Sequence, residues 1–220
     1  MALRQRARNH EDKQARRAAI LSEADALLGS HPYARITMAQ VAAQSGLAKG
    51  TLYLYFRSKE ELFLALLERE LVAWFGALRE RLATLPTVNP DVLGQEFASS
   101  LETRRTLSDL LVILHTILEQ NVDAPAALAF KLVLRDQIHA AGEALELVWP
   151  PLPKGSGPRT LLRMYALLIG LRQIAFPSPV IADILAREDM ASLRVEFVQD
   201  LAVSIADLLR GAAHSLGGGA

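Results

Sequence analysis

Residues 37–56, TMAQVAAQSGLAKGTLYLYF, run directly into RSKEELF at 57–63 and read as two short helices joined by a glycine turn. Thr37 is a good N-cap, and Met38, Val41 and Ala42 put apolar side chains on one helical face at i, i+3 and i+4. Gly46 follows Gln44 and Ser45, where a left-handed turn residue ends a helix at little cost, and Leu47 can fill the gap between the two helices. The spacing predicts a second helix over 48–55 with Leu52 and Phe56 as its buried stripe, leaving Lys49, Thr51, Tyr53 and Tyr55 outward. Hydroxyl and ammonium groups on such a face suit phosphate oxygens, base edges and thymine methyls, and Gly50 lets a backbone come close. Two helices so arranged present one of them to a DNA groove. The bland alternative is a plain helical hairpin in which both tyrosines pack against neighbours.

The run GLAKGTLYLYF at 46–56, with Lys59, Glu60, Leu62 and Phe63 behind it, resembles the DNA-binding region of the TetR (TetR/AcrR) transcriptional regulators. The resemblance covers roughly residues 13–72. It implies DNA contacts at Thr37, Lys49, Gly50, Thr51, Tyr53 and Tyr55, and a phosphate contact at Lys59, where the next helix begins. One departure is GSHPY at 29–33, where the family carries a shorter glycine–aromatic link.

Charge supports the same reading. Residues 1–60 hold ten Lys and Arg against five Asp and Glu, while the remaining 160 hold 14 against 19. A net charge of zero therefore conceals a basic head and an acidic body, the asymmetry a chain needs if one end neutralises phosphates. The absence of cysteine excludes a disulfide framework, a thiolate metal site and a thiol nucleophile. The N-terminus is charged, without an apolar signal core, and the longest apolar-rich stretch, 161–175, contains Arg163 and Arg172. The expectation is a soluble, cytoplasmic protein that does not enter a membrane.

Helical periodicity runs through nearly the whole chain, broken by proline and glycine, with no convincing strand and no internal repeat. An all-α fold is expected: a three-helix head with the helix-turn-helix, and a larger helical body. Helices are predicted over 11–28, from Lys59 to just before Pro86, and over 90–103, 106–121, 124–148, 157–176 and 190–211. The expected division is a basic tail at 1–12, a DNA-binding domain at 13–72, an effector-binding and dimerisation domain at 73–212, and a disordered tail at 213–220. The helix from Lys59, capped by Ser58, links head to body.

The segment 161–174 is apolar around most of its circumference, and the last helix carries Leu193, Phe197, Leu201, Ile205 and Leu208 as a stripe. By residues alone these are equally core helices of a monomer or the bundle of a dimer. The TetR resemblance implies a homodimer in which the last two long helices pair, engaging Leu161 and Leu168 together with that stripe. It also implies a cavity for a small-molecule effector, near Trp74, Phe97, Leu114, His115, Phe130, Met164 and Arg172. An aromatic at such a spacing is more often an ordinary core residue than part of a pocket. Arg172, amid an apolar helix, calls for an acidic partner or an anionic ligand, or else reaches the surface along its stem. His115 and Glu119 stand four apart but lack a third metal ligand at a telling spacing, so no metal or cofactor is expected. Nor does an enzyme reading find a phosphate loop or nucleophile elbow; Glu143 and Glu146, the nearest carboxylate pair, read as surface charge. The implied activity is a ligand-responsive repressor on a near-palindromic double-stranded operator. Other readings are an architectural or cell-division DNA-binding protein governed by a protein partner, and a helical lipid-binding or enzymatic protein that retains the head.

Overall fold

A computed structural model describes the backbone of residues 2–214 and the side chains of residues 11–213, with ten α-helices and no strand among them. The chain folds as two compact units. The first comprises residues up to Glu70 together with Ile113–Lys131, the second Leu71–Val112 and everything from Leu132 onward.

In the first unit α1 (Ala2–Ser30) begins well before the expected residue 11. No Gly or Pro precedes Gly29, and Ala, Leu, Arg, Gln and Lys favour helix, so residues 2–12 continue the helix and do not form a separate tail. The side chains of Arg4, Arg6 and Arg8 and the end of the chain from residue 215 lie outside the described residues. A 3₁₀ turn at Tyr33–Arg35 absorbs the GSHPY link, and the edge of Tyr33 meets Phe63 at 5.1 Å between ring centroids. Helix α2 (Met38–Gln44) opens on a capping box: Gln40 N–H donates to Thr37 Oγ1, and Gln40 Oε1 accepts from Thr37 N–H. Gly46 has φ +65°, the left-handed turn expected of it, and Leu47 N–H closes onto the Ala42 carbonyl at 2.8 Å. Then comes α3 (Lys49–Leu52), only four residues long. Helix α4 (Lys59–Ala83) has a second capping arrangement, Glu61 N–H to Ser58 Oγ and Arg57 N–H to the Glu61 carboxylate. Ile20, Ala24, Val41, Leu52, Phe56, Leu62, Phe63 and Leu66 form the core of this unit.

The second unit is built from α5 (Pro90–Glu102), α6 (Arg105–Ile113), most of α7 (Ala124–Val148), α8 (Gly157–Ala175), α9 (Pro179–Leu185) and α10 (Phe197–His214), with the later part of α4. Helix α10 lies along α5 so closely that a Cβ added to Gly94 would stand 2.2 Å from the Ala202 carbonyl oxygen. Helices α7 and α8 meet at Gly142 and Gly157 in the same manner.

Three element boundaries differ from expectation. The helix predicted over 106–121 ends at Ile113; the chain then turns through Leu114–Ile117 into a 3₁₀ turn at Leu118–Gln120, which buries both Leu114 and Leu118. Pro179 does not merely break the chain but opens α9 at its first position, where a missing N–H costs nothing. The helix predicted from 190 starts instead at Phe197. Arg194 is held back by donating to the carbonyls of Leu185, Ala186 and Arg187 at the end of α9, which keeps its own backbone extended and residues 194–196 out of the helix. Glu146 is also not a surface charge: its two oxygens accept from Gly155 N–H at 2.9 Å and Gly157 N–H at 2.6 Å, fixing the start of α8.

Candidate nucleic-acid interface

Leu52 and Phe56 are 0 % and 1 % exposed, so the chain between them arches over the core with Tyr53, Leu54 and Tyr55 on the arch. The arch is not the continuous helix expected over 48–55. After α3 it proceeds by tight turns, Leu54 N–H to the Thr51 carbonyl and Tyr55 N–H to the Leu52 carbonyl, which suit a three-residue span between two buried anchors. Thr37, Lys49, Gly50 and Tyr53 are exposed, while Thr51 and Tyr55 are half-buried. The space where a Gly50 side chain would sit is empty, so another backbone can approach there. Lys49 Nζ stands 6.0 Å from the centre of the Tyr53 ring. Leu54, which a pattern of polar outward residues passes over, is the most exposed residue of the arch at 77 %. Its place midway between anchors four apart is the signal that finds it.

Lys59 is differently placed from a free phosphate contact. Its Nζ donates to the Tyr33 carbonyl at 2.5 Å and lies 3.8 Å from the centre of that residue's ring, while the Tyr33 hydroxyl donates to Glu60. Burial pushes the Lys59 ammonium below its usual range, against the opposing pull of Glu60. Burial, then Glu60, pushes the Tyr33 hydroxyl upward. The lysine thus ties the 3₁₀ turn after α1 to the first turn of α4. Arg57 pairs with Asp123, and Ser58 Oγ donates to the Asn121 carbonyl, so residues 121–123 close against the start of α4 within the first unit.

The residues expected around an effector are divided between the two units. Leu114, His115 and Phe130 belong to the first unit, Trp74, Phe97, Met164 and Arg172 to the second. Trp74, Phe97, Leu114, Phe130 and Met164 are buried, and the Trp74 indole N–H is already bonded to Ser100 Oγ at 2.8 Å. His115 bonds Glu119, which also holds Lys131 Nζ at 2.6 Å. Among the described residues no group of three His, Asp or Glu is set to hold a metal. Arg172 alone of the seven lines a cleft of about 790 Å³ in the second unit, where Leu101, Phe176, Phe197 and Val198 supply apolar wall. It has its acidic partner, Asp109, at 2.5 Å, and its guanidinium carbon sits 3.7 Å from the Phe176 ring centre. Its Nε is buried without a partner in the protein.

Four of the seven residues expected at a dimer interface are core residues of the chain itself: Leu161, Leu168, Leu201 and Ile205 are each at most 5 % exposed. The apolar spacing that singles out a stripe also singles out the face a helix buries within its own unit, and α5 and α8 take that face of α10. Phe197 and Leu208 are half-buried, and Leu193 is exposed ahead of α10.

Residues 68–215 match the family model of the tetracyclin repressor-like C-terminal domain, and residues 20–66 that of the bacterial regulatory proteins of the tetR family. The chain belongs to the TetR family. As a TetR-family protein it is a DNA-binding transcription regulator and not an enzyme. Solved structures agree in fold. A TetR transcriptional regulator from Rhodococcus sp. RHA1 is 20% identical with a TM-score of 0.58, over 94% of this chain and 98% of that one. The transcriptional regulator FadR from Bacillus subtilis, solved in complex with stearoyl-CoA, is 15% identical with a TM-score of 0.54, over 89% and 98%. NemR of E. coli in its reduced form is 18% identical with a TM-score of 0.54, over 88% and 97%. No curated protein matches the sequence. No single helix among the described residues is long and apolar enough to cross a membrane.

Proposed function

We propose that this TetR-family regulator is a cytoplasmic repressor that binds a near-palindromic operator as a homodimer and leaves it when a small apolar or amphipathic effector binds. The observation that carries the reading is α3 with the arch between Leu52 and Phe56 behind it, which leave Lys49, Gly50 and Tyr53 in solvent. Thr37, Thr51 and Tyr55 flank it, and hydroxyl, ammonium and bare backbone together supply both phosphate and base-edge contacts. A twofold dimer would set two such arches about 34–36 Å apart, one turn of duplex.

The cleft beside Arg172 is where we place the effector, with Leu101, Phe176 and Phe197 as apolar wall and the unpartnered Arg172 Nε–H as a donor. An effector releases DNA only through a difference in its affinity for the bound and free states. The dimer contact falls to the aliphatic side chains that α8 and α10 leave in water, Leu162, Ile174 and Val203.

The test is a gel shift with duplexes selected from a random pool. Tyr53→Ala should fold as the parent does and bind its selected duplex at least about 5-fold more weakly, the loss of one or two groove contacts. Unchanged affinity in the folded variant removes Tyr53 from the interface, and failure to enrich any sequence removes the repressor reading altogether.

A further inference from the structure

Tyr53 and Leu54 are the only large apolar side chains left exposed among residues 11–70. Tyr53 carries a hydroxyl, so its exposure needs no special reason. Leu54 is an aliphatic side chain with 77 % of its surface in water, held between Leu52 at 0 % and Phe56 at 1 %. The hydrogen bonds from Leu54 N–H to the Thr51 carbonyl at 3.1 Å and from Tyr55 N–H to the Leu52 carbonyl at 3.0 Å fix the backbone on either side of it. Folding does not account for it, since an exposed side chain at this site adds nothing to the core and a polar residue would serve the turn as well.

On the reading of this arch as the DNA-contacting surface, the position acquires a definite chemistry. Lys49, Thr51, Tyr53 and Tyr55 offer donors to phosphates and base edges; Leu54 offers none and can gain free energy only by burying apolar surface. The major groove has one apolar base feature, the C5-methyl of thymine. Cytosine at the same place presents a C5 hydrogen and no methyl group, so the apolar contact with leucine is lost.

We propose that Leu54 reads a thymine methyl group in each operator half-site and thereby selects T·A over C·G at that position. The proposal goes beyond DNA binding as such, because it assigns one residue to one feature of one base pair.

The experiment uses the full chain and its selected duplex, with each thymine replaced in turn by deoxyuridine, which removes the methyl group alone. Replacement at one thymine of a half-site should weaken the parent protein about 4-fold, the worth of one buried methyl group. Leu54→Ala, which removes the contact from both half-sites, should bind the unmodified duplex about 16-fold more weakly, about 4-fold for each subunit, and be indifferent to deoxyuridine at that thymine, whereas Leu54→Met should keep the sensitivity. Circular dichroism confirms that each variant is folded. A parent protein indifferent to every replacement overturns the inference, as does a Leu54→Ala variant that keeps the full deoxyuridine penalty; both results leave sequence-specific binding intact. A chain that enriches no duplex overturns the DNA reading, and this inference with it, before any deoxyuridine is introduced.

Discussion

Glu119 lies between two side chains, with Lys131 Nζ 2.6 Å from one oxygen and His115 Nδ1 3.0 Å from the other. Burial alone would raise its pKa, but the bonds to Lys131 and His115 outweigh that and hold the carboxyl below its usual range. A folded-state pKa below the unfolded one means that the fold favours the ionised form. The stabilisation is therefore complete above the unfolded pKa and is lost as pH falls through the folded value. Lys131→Met should thus lower stability by about 1 kcal/mol at neutral pH, a figure kept small because Lys131 is half in water. The difference from the parent should shrink as pH falls through the folded-state pKa of Glu119, where the carboxyl becomes protonated in both. Urea denaturation at pH 7 and pH 3 measures it; a gap that persists unchanged at pH 3 would mean that Lys131 acts through its packed stem and not its charge.

At the scale of elements, two contacts decide how helices in the second unit meet. Glu146 of α7 accepts both Gly155 N–H and Gly157 N–H, so Glu146→Ala should orphan two donors at the start of α8 and cost about 1–3 kcal/mol. Glu146→Gln, which keeps one acceptor oxygen, should cost less, and the order of thermal midpoints checks this directly. Gly94 of α5 faces the Ala202 carbonyl oxygen of α10 with no room for a methyl group. Gly94→Ala should therefore destabilise by about 1–3 kcal/mol through overpacking, although alanine is the better helix former. A thermal midpoint equal to or above that of the parent would show that α5 and α10 can part at no cost.

These same elements show what a sequence can and cannot disclose. The capping of α2 by Thr37, the left-handed Gly46 and the anchors Leu52 and Phe56 are local, each set by residues within four positions, and all were readable. The partner of Arg172 was foreseeable in kind, because a guanidinium in an apolar helix needs an anion, but Asp109 is 63 residues away and could not be named. Two misreadings share a cause, which is that chain segments were assigned without knowing what holds them. Arg194 reaches back to α9 and so delays α10, and Glu146 reads from the sequence as surface charge because nothing near it in sequence reveals Gly155 and Gly157 as its donors. The arch over 53–55 departs from a regular helix by only a turn, and Leu54, two residues from each anchor, faces outward in either geometry.

At the scale of the whole molecule, the assembly follows from which apolar surface remains after each unit has closed its core. Leu201, Ile205 and Leu209 of α10 are consumed inside the second unit, whereas Val203 on the same helix is 55 % exposed and Leu162 and Ile174 of α8 are 44 % and 53 % exposed. If a second copy covers these side chains, charges placed there should prevent association without disturbing the fold of either unit. Leu162→Glu with Val203→Glu is expected to be monomeric by light scattering at micromolar concentration and to keep the helical circular dichroism of the parent. Its thermal midpoint should also lose the concentration dependence that a dimer imposes. Operator affinity should fall by at least about 100-fold, because the second half-site is no longer held near by the first. Leu201→Glu is the necessary contrast: it places a charge in a core that is 0 % exposed, and should unfold the chain instead of dissociating it. A double variant that stays dimeric and binds operator as the parent does would move the interface away from these faces of α8 and α10.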